Sequence, residues 1–472
     1  MDLWYLFACH TLDLLKKKSG ILTYIATNNW TTNFGASKMR NKIVQDGKIE
    51  KLIDFGSCMI FKSADIQTMI LMVKNDATKD NYKFDYRRIV SKESCFNDGL
   101  DLLRKKQTNN NEILYPIIIK ENFINKLLTF TNKQKHSILQ KIKHRGDLLL
   151  DDKTEVAQGI VIPQDCVNKK SQRKLGNNFY IGQGIFVLSE KEKESLGLSE
   201  KELQLLKPYY TTKQLSRWLG NKKNSHWIIY TTSKFKKEEN ISPYPNLKKH
   251  LDLFASVITS DNKPYGLHRA REERFFKGEK IIALRKCTIM PSFTFTNFDC
   301  YVSASFYIIK TNRINQKYLT ALLNSKAIAF WLKYKGKMQG SNFQIDKEPI
   351  LNIPIKKVHE KSIIVDYFSC LIGFITLANN LDLKLQSTYY EQLIDGLVFE
   401  LYFPDEINAA NKAILKHLGD LKPLADDMTE EEKRAIIQSE FDRLYDPNHP
   451  VRNHLETLDS VEEVRIIKEA LA

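Results

Sequence analysis

The stretch MDLWYLFACHTLDLLKKKSGILTYIATNNW, residues 1–30, decides how the rest of the chain is read. Leu3, Leu6, Phe7 and Leu14 recur at helical spacing, so residues 2–18 read as an amphipathic helix. Lys16, Lys17 and Lys18 fall in its last turn, where cations suit the negative end of the helix dipole. Gly20 then ends the helix. Ile21 to Ile25 is an almost wholly apolar run, the pattern of a strand buried on both faces of a parallel sheet covered by helices. Such a sheet needs earlier strands to pair with, and nothing precedes Met1, so the sequence reads as opening inside a domain.

Outward from that stretch, residues 37–44 read as a short helix closed by Gly47, residues 51–55 as a second strand and residues 66–73 as a third. Residues 1–75 spell helix, strand, helix, strand, strand, the tail of an α/β sheet whose first strands are missing. Residues 76–115 alternate polar turns with the strand-like YKFDYRRIV, and QTNNNE (107–112) reads as a loop. A basic helical stretch follows over about 121–144. Short strands and turns dominate 151–355, interrupted by one helix at 316–332, and helices return from 357. The expected domains are therefore 1–80, a connecting segment 81–150, a mixed, mostly β block 151–355 and a helical extension 356–472.

At 472 residues the chain is expected to form two to four domains. Apolar content of 42% and 11% aromatics indicate a folded protein. No apolar run approaches the length of a membrane span, and the N-terminal helix has the reverse of a signal peptide's charge order; a cytoplasmic protein is the simplest expectation. The seven cysteines are scattered without a CxxC, which points to neither a zinc site nor a disulfide framework. The net charge is +16, unevenly spread: residues 401–472 hold 16 Asp and Glu against 9 Lys and Arg, a net of −7, leaving +23 on residues 1–400. A basic body suggests a polyanion such as nucleic acid; a lysine-rich composition of solvated faces is the competing reading.

The sequence has no GxGxxG, P-loop, HExxH or GxSxG, and no self-contained active site. It does have three basic clusters interleaved with aromatics and glycines. The first runs from Lys213 through Arg217-Trp218 to Lys222, Lys223 and Trp227; the second is His268-Arg269-Ala270-Arg271 with Arg274; the third is Lys333 to Asn342, with Lys335 and Lys337 beside Gly336. Glycines beside lysines let amides and ammonium groups approach a phosphate backbone, and Arg can read guanine edges. Each cluster taken singly is more often a solvated turn; three of them within a β-rich block shift the balance toward DNA binding.

These residues carry a resemblance. The opening stretch, with FGASKMRNKI, KLIDFG and ADIQTMILMV, resembles the second half of an N6-adenine DNA methyltransferase domain of the Eco57I-like type IIG restriction-modification enzymes. Residues 151–355, with LLKPYYTTKQLSRWLG, YGLHRARE, KIIALRK and EPILNIPI, resemble the TaqI-like C-terminal target-recognition domain; EQLIDGLVFELYFPDEI resembles the helical extension of the same enzymes. The implied fold is an incomplete Rossmann-like methyltransferase sheet, then the mixed recognition domain, then the extension (α/β plus α+β). The resemblance implies S-adenosyl-L-methionine as cofactor of the complete enzyme. Its glycine-rich loop and its Asn-Pro-Pro-Tyr motif are both expected upstream of Met1, since no Asn-Pro-Pro occurs here. The chain is then expected to hold no cofactor and no catalytic residue of its own, and to need an upstream polypeptide. Phe61, five residues before Ile66, matches the family's aromatic that packs on the extruded adenine; a core residue between strands is the other reading. Lys222, Lys223, Arg269, Arg271, Lys335 and Lys337 are the expected contacts to double-stranded DNA. A stand-alone DNA-binding specificity module, or a truncated remnant, are the alternatives.

Overall fold

The N-terminal helix α1 covers Leu3–Leu14 and stops earlier than the sequence suggests. Leu15 already has extended dihedrals, and Lys18 sits in the left-handed region at φ 64°. The three lysines thus form a turn closed by the Gly20 N–H on the Lys16 carbonyl (2.7 Å) rather than the last helical turn. The computed structural model containing these elements describes residues 2–61, 63–64, 66–78, 80–91, 93–339 and 342–472. It divides into two units: residues 1–143 with 330–344, and residues 144–329 with 345–472.

The first unit is built on a five-stranded sheet. Its strands are β1 (Ile21–Thr27), β2 (Lys48–Asp54), β3 (Thr68–Lys74), β4 (Asp85–Ile89) and β5 (Asn111–Leu114), in the order β1-β3-β2-β4-β5. Helix α2 (Ser37–Asp46) joins β1 to β2, which run parallel to each other with β3 antiparallel between them. β2 pairs parallel with β4, and β4 antiparallel with β5. The sheet is therefore mixed, and β1 is not the doubly buried strand its apolar run suggests. Leu22 is buried under α1 and α2, but Ile21 and Ile25 on the opposite face are 52% and 44% exposed. Alternation wins because β1 lies at the sheet edge with only one face covered. Tyr5, Ala8 and Leu12 pack with Met39, Ile43 and Val44 onto Leu52, Leu71 and Val73. On the other face α3 (Phe96–Leu103) covers the far end through Leu102, against Ile53, Phe55 and Ile89.

The expected basic helix over 121–144 is two pieces, Lys120–Phe123 and α4 (Lys133–Arg145), parted by residues 124–132. The Leu128 N–H within that gap donates to Thr31 O (2.9 Å), a bond a continuous helix could not make.

The second unit holds two sheets and a helical layer. Strands β6 (Val156–Gln158), β7 (Val187–Ser189), β8 (Leu206–Tyr209), β9 (Trp218–Leu219), β10 (His226–Ile229), β11 (Lys280–Leu284), β12 (Phe293–Thr296) and β13 (Phe306–Ile309) form the sheets β8-β10-β7 and β9-β12-β11-β13-β6. Aromatics fill the space between them: Tyr301 stacks on Phe276 at 4.9 Å and meets Tyr230 edge-on at 5.3 Å. Helix α5 (Pro245–Asp252) packs on this core through Leu247, His250 and Leu251.

The helix expected over 316–332 is split into α6 (Gln316–Asn324) and α7 (Lys326–Lys335). Asn324 spends its side chain on the Phe293 backbone and the Ser325 hydroxyl donates to Leu322 O, which ends α6. The end of α7, with the hairpin β14 (Lys337–Gln339) and β15 (Asn342–Gln344), belongs to the first unit.

The long helices α8 (Ile363–Asn380), α9 (Lys384–Tyr402) and α10 (Glu430–Leu444) complete the second unit. Helix α8 is as long and apolar as a membrane span, contrary to the expectation that no run comes near one. Its Phe368, Leu371, Ile372 and Phe374 are fully buried, Phe368 stacking on Tyr318 at 5.5 Å and Phe374 packing on Tyr390. Burial of each such side chain contributes about 1.5–3 kcal/mol. The extension beyond residue 356 thus shares a unit with the β-rich block.

Candidate nucleic-acid interface

In the first unit β1 and β2 end at one side of the sheet, where open α/β sheets place their ligands. The Asn28 side-chain N–H donates to Asp54 Oδ1 (2.9 Å), the Gly56 N–H donates to the same oxygen (3.0 Å), and the Asn28 N–H donates to Gln67 O (3.1 Å). Burial pushes the Asp54 carboxyl up, opposed by the bonds from Asn28 and Gly56. Behind it, Arg40 of α2 fixes the segment after β1 by donating to the Trp30 and Asn33 carbonyls (2.8 and 2.5 Å).

Phe61 lies in the loop from β2 to β3 and is 42% exposed, beside Met59 and Ile66 at 43% each. It is a surface aromatic rather than a core residue between strands. The root of its loop is pinned: the Ser57 hydroxyl donates to Ser91 O and accepts from Ser94 Oγ, both at 2.8 Å, and the Cys58 thiol donates to Cys95 O (3.1 Å).

Also in the first unit, Lys335 is half-buried and donates to Thr129 Oγ1 at 3.5 Å; burial and then Lys143 lower its pKa. Lys337 opens the hairpin, opposite Gln344. Next to them Glu112 accepts from Arg88 (2.6 Å) and Lys135 (2.8 Å), both of which lie over the Tyr334 ring. Arg88 and Lys135 hold Glu112 below the usual carboxylate range despite burial.

In the second unit Lys222 and Lys223 are exposed on the loop between β9 and β10. The Tyr210 hydroxyl donates to Lys222 O (2.8 Å), and the Lys223 N–H donates to the Asn221 side chain (2.9 Å). Gly220 starts this loop where a Cβ would come within 2.7 Å of Thr296 Cγ2, so the close approach of the loop to β12 requires glycine.

Arg269 is exposed, its backbone paired with Val161 in both directions (3.0 and 3.2 Å). Arg271 is half-buried with φ 70°, donating to Gln158 Oε1 (2.7 Å) and Gly159 O (3.3 Å). Burial lowers its pKa, and the like charge of Arg269 adds to this. The six basic candidates therefore fall into two sets: Lys222, Lys223, Arg269 and Arg271 in the second unit, Lys335 and Lys337 in the first.

Arg217 and Trp218, at the head of the first basic cluster, have a different task. Trp218 is 1% exposed, and its indole N–H donates to Glu391 of α9 (3.0 Å); Arg217 donates to the other Glu391 oxygen (2.7 Å). Asp395, one turn further along α9, accepts from the Lys326 N–H (2.7 Å) and ammonium (2.5 Å) at the start of α7. A carboxylate there offsets the positive end of the helix dipole. The Glu391 contacts latch α9 to β9 and the Asp395 contacts latch it to α7, and spacing alone could not find them.

A further basic segment, Lys169–Leu175, was missed by the aromatic-plus-glycine criterion. Its signal is four cations with no acid from Cys166 to Ser189. Among the described residues no group of three metal-ligating side chains occurs.

Two segments of the chain match known families. Residues 1–61 match the Eco57I restriction-modification methylase family, and residues 208–355 match the TaqI-like C-terminal specificity domain. The type II methyltransferase M.HindII of Haemophilus influenzae is 21% identical over 384 residues, 76% of this chain and 68% of that protein. M.HincII of the same species is 43% identical over 42 residues, 9% of this chain and 8% of the relative. Among solved structures, the type IIL restriction-modification enzyme MmeI in complex with DNA covers 93% of this chain at 11% identity and TM-score 0.47. The type IIG endonuclease BpuSI covers 85% at 13% identity and TM-score 0.30. The chain spans about half the length of each of these two enzymes, 51% and 49%.

Proposed function

We propose that this chain, a relative of restriction-modification methylases with a TaqI-like specificity domain, recognises duplex DNA and completes the target-base end of an N6-adenine methyltransferase of type IIG kind. The observation that carries the reading is β1. It lies at the sheet edge with Ile21 and Ile25 uncovered, while Leu3, Leu6, Phe7 and Leu14 of α1 are 51–73% exposed. An open edge flanked by bare apolar side chains is what a missing strand and its helices would cover. An upstream polypeptide is the proposed cover, and the sheet it completes is Rossmann-like.

In the complete enzyme S-adenosyl-L-methionine supplies the electrophilic methyl group for adenine N6. The reading assigns the groups that hold the cofactor to the upstream polypeptide; among the described residues at this end of the sheet, the Asn28 side chain and the Gly56 N–H both donate to Asp54. The role of this chain is binding and orientation. Phe61 offers a ring on which an extruded base stacks, an interaction worth about 1–3 kcal/mol per base that offsets the cost of unstacking. Lys222, Lys223 and Arg269 present charge to the duplex, as do Lys335 and Lys337 from the first unit. Arg271, half-buried and bonded to Gln158 and Gly159, adds its charge two residues from Arg269. This reading places the protein in the cytoplasm with its DNA.

The test is to translate the DNA upstream of the Met1 codon for a glycine-rich strand-loop and an Asn-Pro-Pro-Tyr motif, then mix the two polypeptides with duplex DNA and radiolabelled S-adenosylmethionine. Methyl transfer by the mixture and by neither half is expected. Transfer by this chain alone, or none by the mixture, sinks the reading. One observation favours a stand-alone specificity module instead: the recognition strands and the helical layer share a unit with its own core. DNA binding by the chain, with no upstream motif in the gene, would select that alternative.

A further inference from the structure

Residues 166–189 lie outside both matched family segments and fold as a basic helix followed by a tight loop. Asn168 caps the helix by accepting from the Lys170 and Ser171 N–H groups, both at 2.9 Å, and Ser171 turns inward. This leaves Lys169, Lys170, Arg173 and Lys174 exposed. The helix ends at Gly176, and the loop closes at Gly182; both have φ 94°, and nothing lies within 4 Å of where a Cβ would stand.

Between the two glycines the chain exposes Tyr180 (58%) and Ile181 (52%). The loop presenting them is held at several points. Phe179 beneath it packs edge-on to Phe254 at 5.4 Å, and the Gln172 side chain donates to Phe179 O (2.8 Å). The Gly182 N–H donates to Val167 O (2.8 Å). The Tyr180 hydroxyl donates to Glu192 (3.2 Å), a carboxylate already fixed by the Gly184 and Ser189 N–H groups (2.7 and 2.8 Å). An aromatic and a branched aliphatic held rigidly in solvent, beside four cations and open backbone, match the chemistry of a DNA groove flanked by phosphates.

We infer that residues 169–182 form a second DNA-contacting element of the recognition domain, with Lys169, Lys170, Arg173 and Lys174 on backbone phosphates and Tyr180 and Ile181 packed into the groove. This rests on the DNA-recognition reading above but concerns different residues. No acidic side chain interrupts the segment, which selects a polyanion over an apolar protein partner. The rigid loop suits insertion, since its ordering entropy is already spent before DNA arrives.

The test measures binding of the full chain to a mixed-sequence duplex across a salt series. Three variants are compared with the parent: Lys170→Gln/Arg173→Gln/Lys174→Gln, Tyr180→Ala/Ile181→Ala, and Lys222→Gln/Lys223→Gln. The triple cation variant is expected to lower the slope of log affinity against log salt by about 2–3, at about 0.9 per phosphate lost. The loop variant is expected to lose about fivefold or more in affinity with the slope unchanged, because apolar contacts release no counterions. A charge-retaining Lys170→Arg/Lys174→Arg variant should keep the parental slope, and urea midpoints within the parental range certify each fold. Parental affinity and slope in both 169–182 variants, while the Lys222/Lys223 variant weakens, overturn this inference and leave the DNA-recognition reading standing. A parent chain that does not bind the duplex at all overturns both.

Discussion

Glu391 is the single carboxylate on which a buried indole of β9 and the guanidinium just before it converge. Replacing it by Ala leaves the buried Trp218 N–H without its acceptor and removes the ion pair of Arg217, which keeps its bonds to Asn324, a loss of about 1–3 kcal/mol. Urea unfolding of Glu391→Ala should show that shift, and an unchanged midpoint would mean the latch contributes nothing. His250 makes a pH-dependent case. Its imidazole is buried, its Nε2–H donates to Ile185 O (2.9 Å), and burial pushes its pKa below 6.5. The folded state therefore binds the proton less readily than the unfolded chain. Stability is complete above the unfolded pKa and is lost as pH falls below about 6.5, levelling off beneath the folded value. His250→Gln should flatten part of the decline in urea midpoint between about pH 7.5 and 5.5. It should not flatten all of it, since His136, His417 and His449 shift the same way. A wild-type midpoint constant over that range would contradict the burial argument.

At the scale of elements, local pattern was legible wherever local chemistry decided the outcome. Helix α2 ends at Gly47 as its sequence indicates, and β2 and β3 fall within a few residues of their apolar runs. Two misreadings share a cause: a tertiary bond overrode a continuous periodicity. Ser325 divides α6 from α7 because Asn324 is committed to Phe293, a partner 31 residues away. Residues 124–132 leave the helical path because Leu128 bonds Thr31. Lys16 to Lys18 are read as a helix end from charge alone, whereas Leu15 has already left the helix. The candidate site divides similarly. The exposure of Lys222, Lys223 and Arg269 follows from glycine, asparagine and basic composition; the latching of Arg217 and the grouping of Lys335 with the first unit depend on distant partners. The β1 edge gives a prediction at this scale. Ile25→Lys places a charge on the uncovered face without touching the core around Leu22. It should leave duplex binding and the urea midpoint within about 0.5 kcal/mol of the parent, while abolishing any co-purification that the parent shows with the proposed upstream polypeptide. Co-purification at parental yield would remove that face from the proposed contact.

The whole molecule combines two units with unequal self-sufficiency. The second has a large core cluster from Ile160 to Ile308 and a helical layer with its own buried face, whereas the first leaves the β1 edge with Ile21 and Ile25 bare. Apolar surface left in water contributes nothing to stability at about 25 cal/mol per Å², so the first unit is the weaker. Two cores that melt independently break two-state behaviour, and urea should resolve two transitions, the earlier from the first unit. The Trp30 indole, 1% exposed there, and Trp218 in the second unit provide separate fluorescence reporters through single-tryptophan variants. A ligand that binds only the folded first unit raises only its transition, by RT ln(1 + [L]/Kd), about 2.7 kcal/mol at a hundredfold excess over Kd. If the proposed upstream polypeptide binds there, it should move the Trp30 transition and leave that of Trp218 in place. Duplex DNA without that polypeptide should raise the Trp218 transition through Lys222, Lys223 and Arg269, and the Trp30 transition only by what Lys335 and Lys337 contribute. If the polypeptide shifts both transitions equally, or neither, then the bare edge of β1 is not where it binds, and the division of labour between the units falls with it.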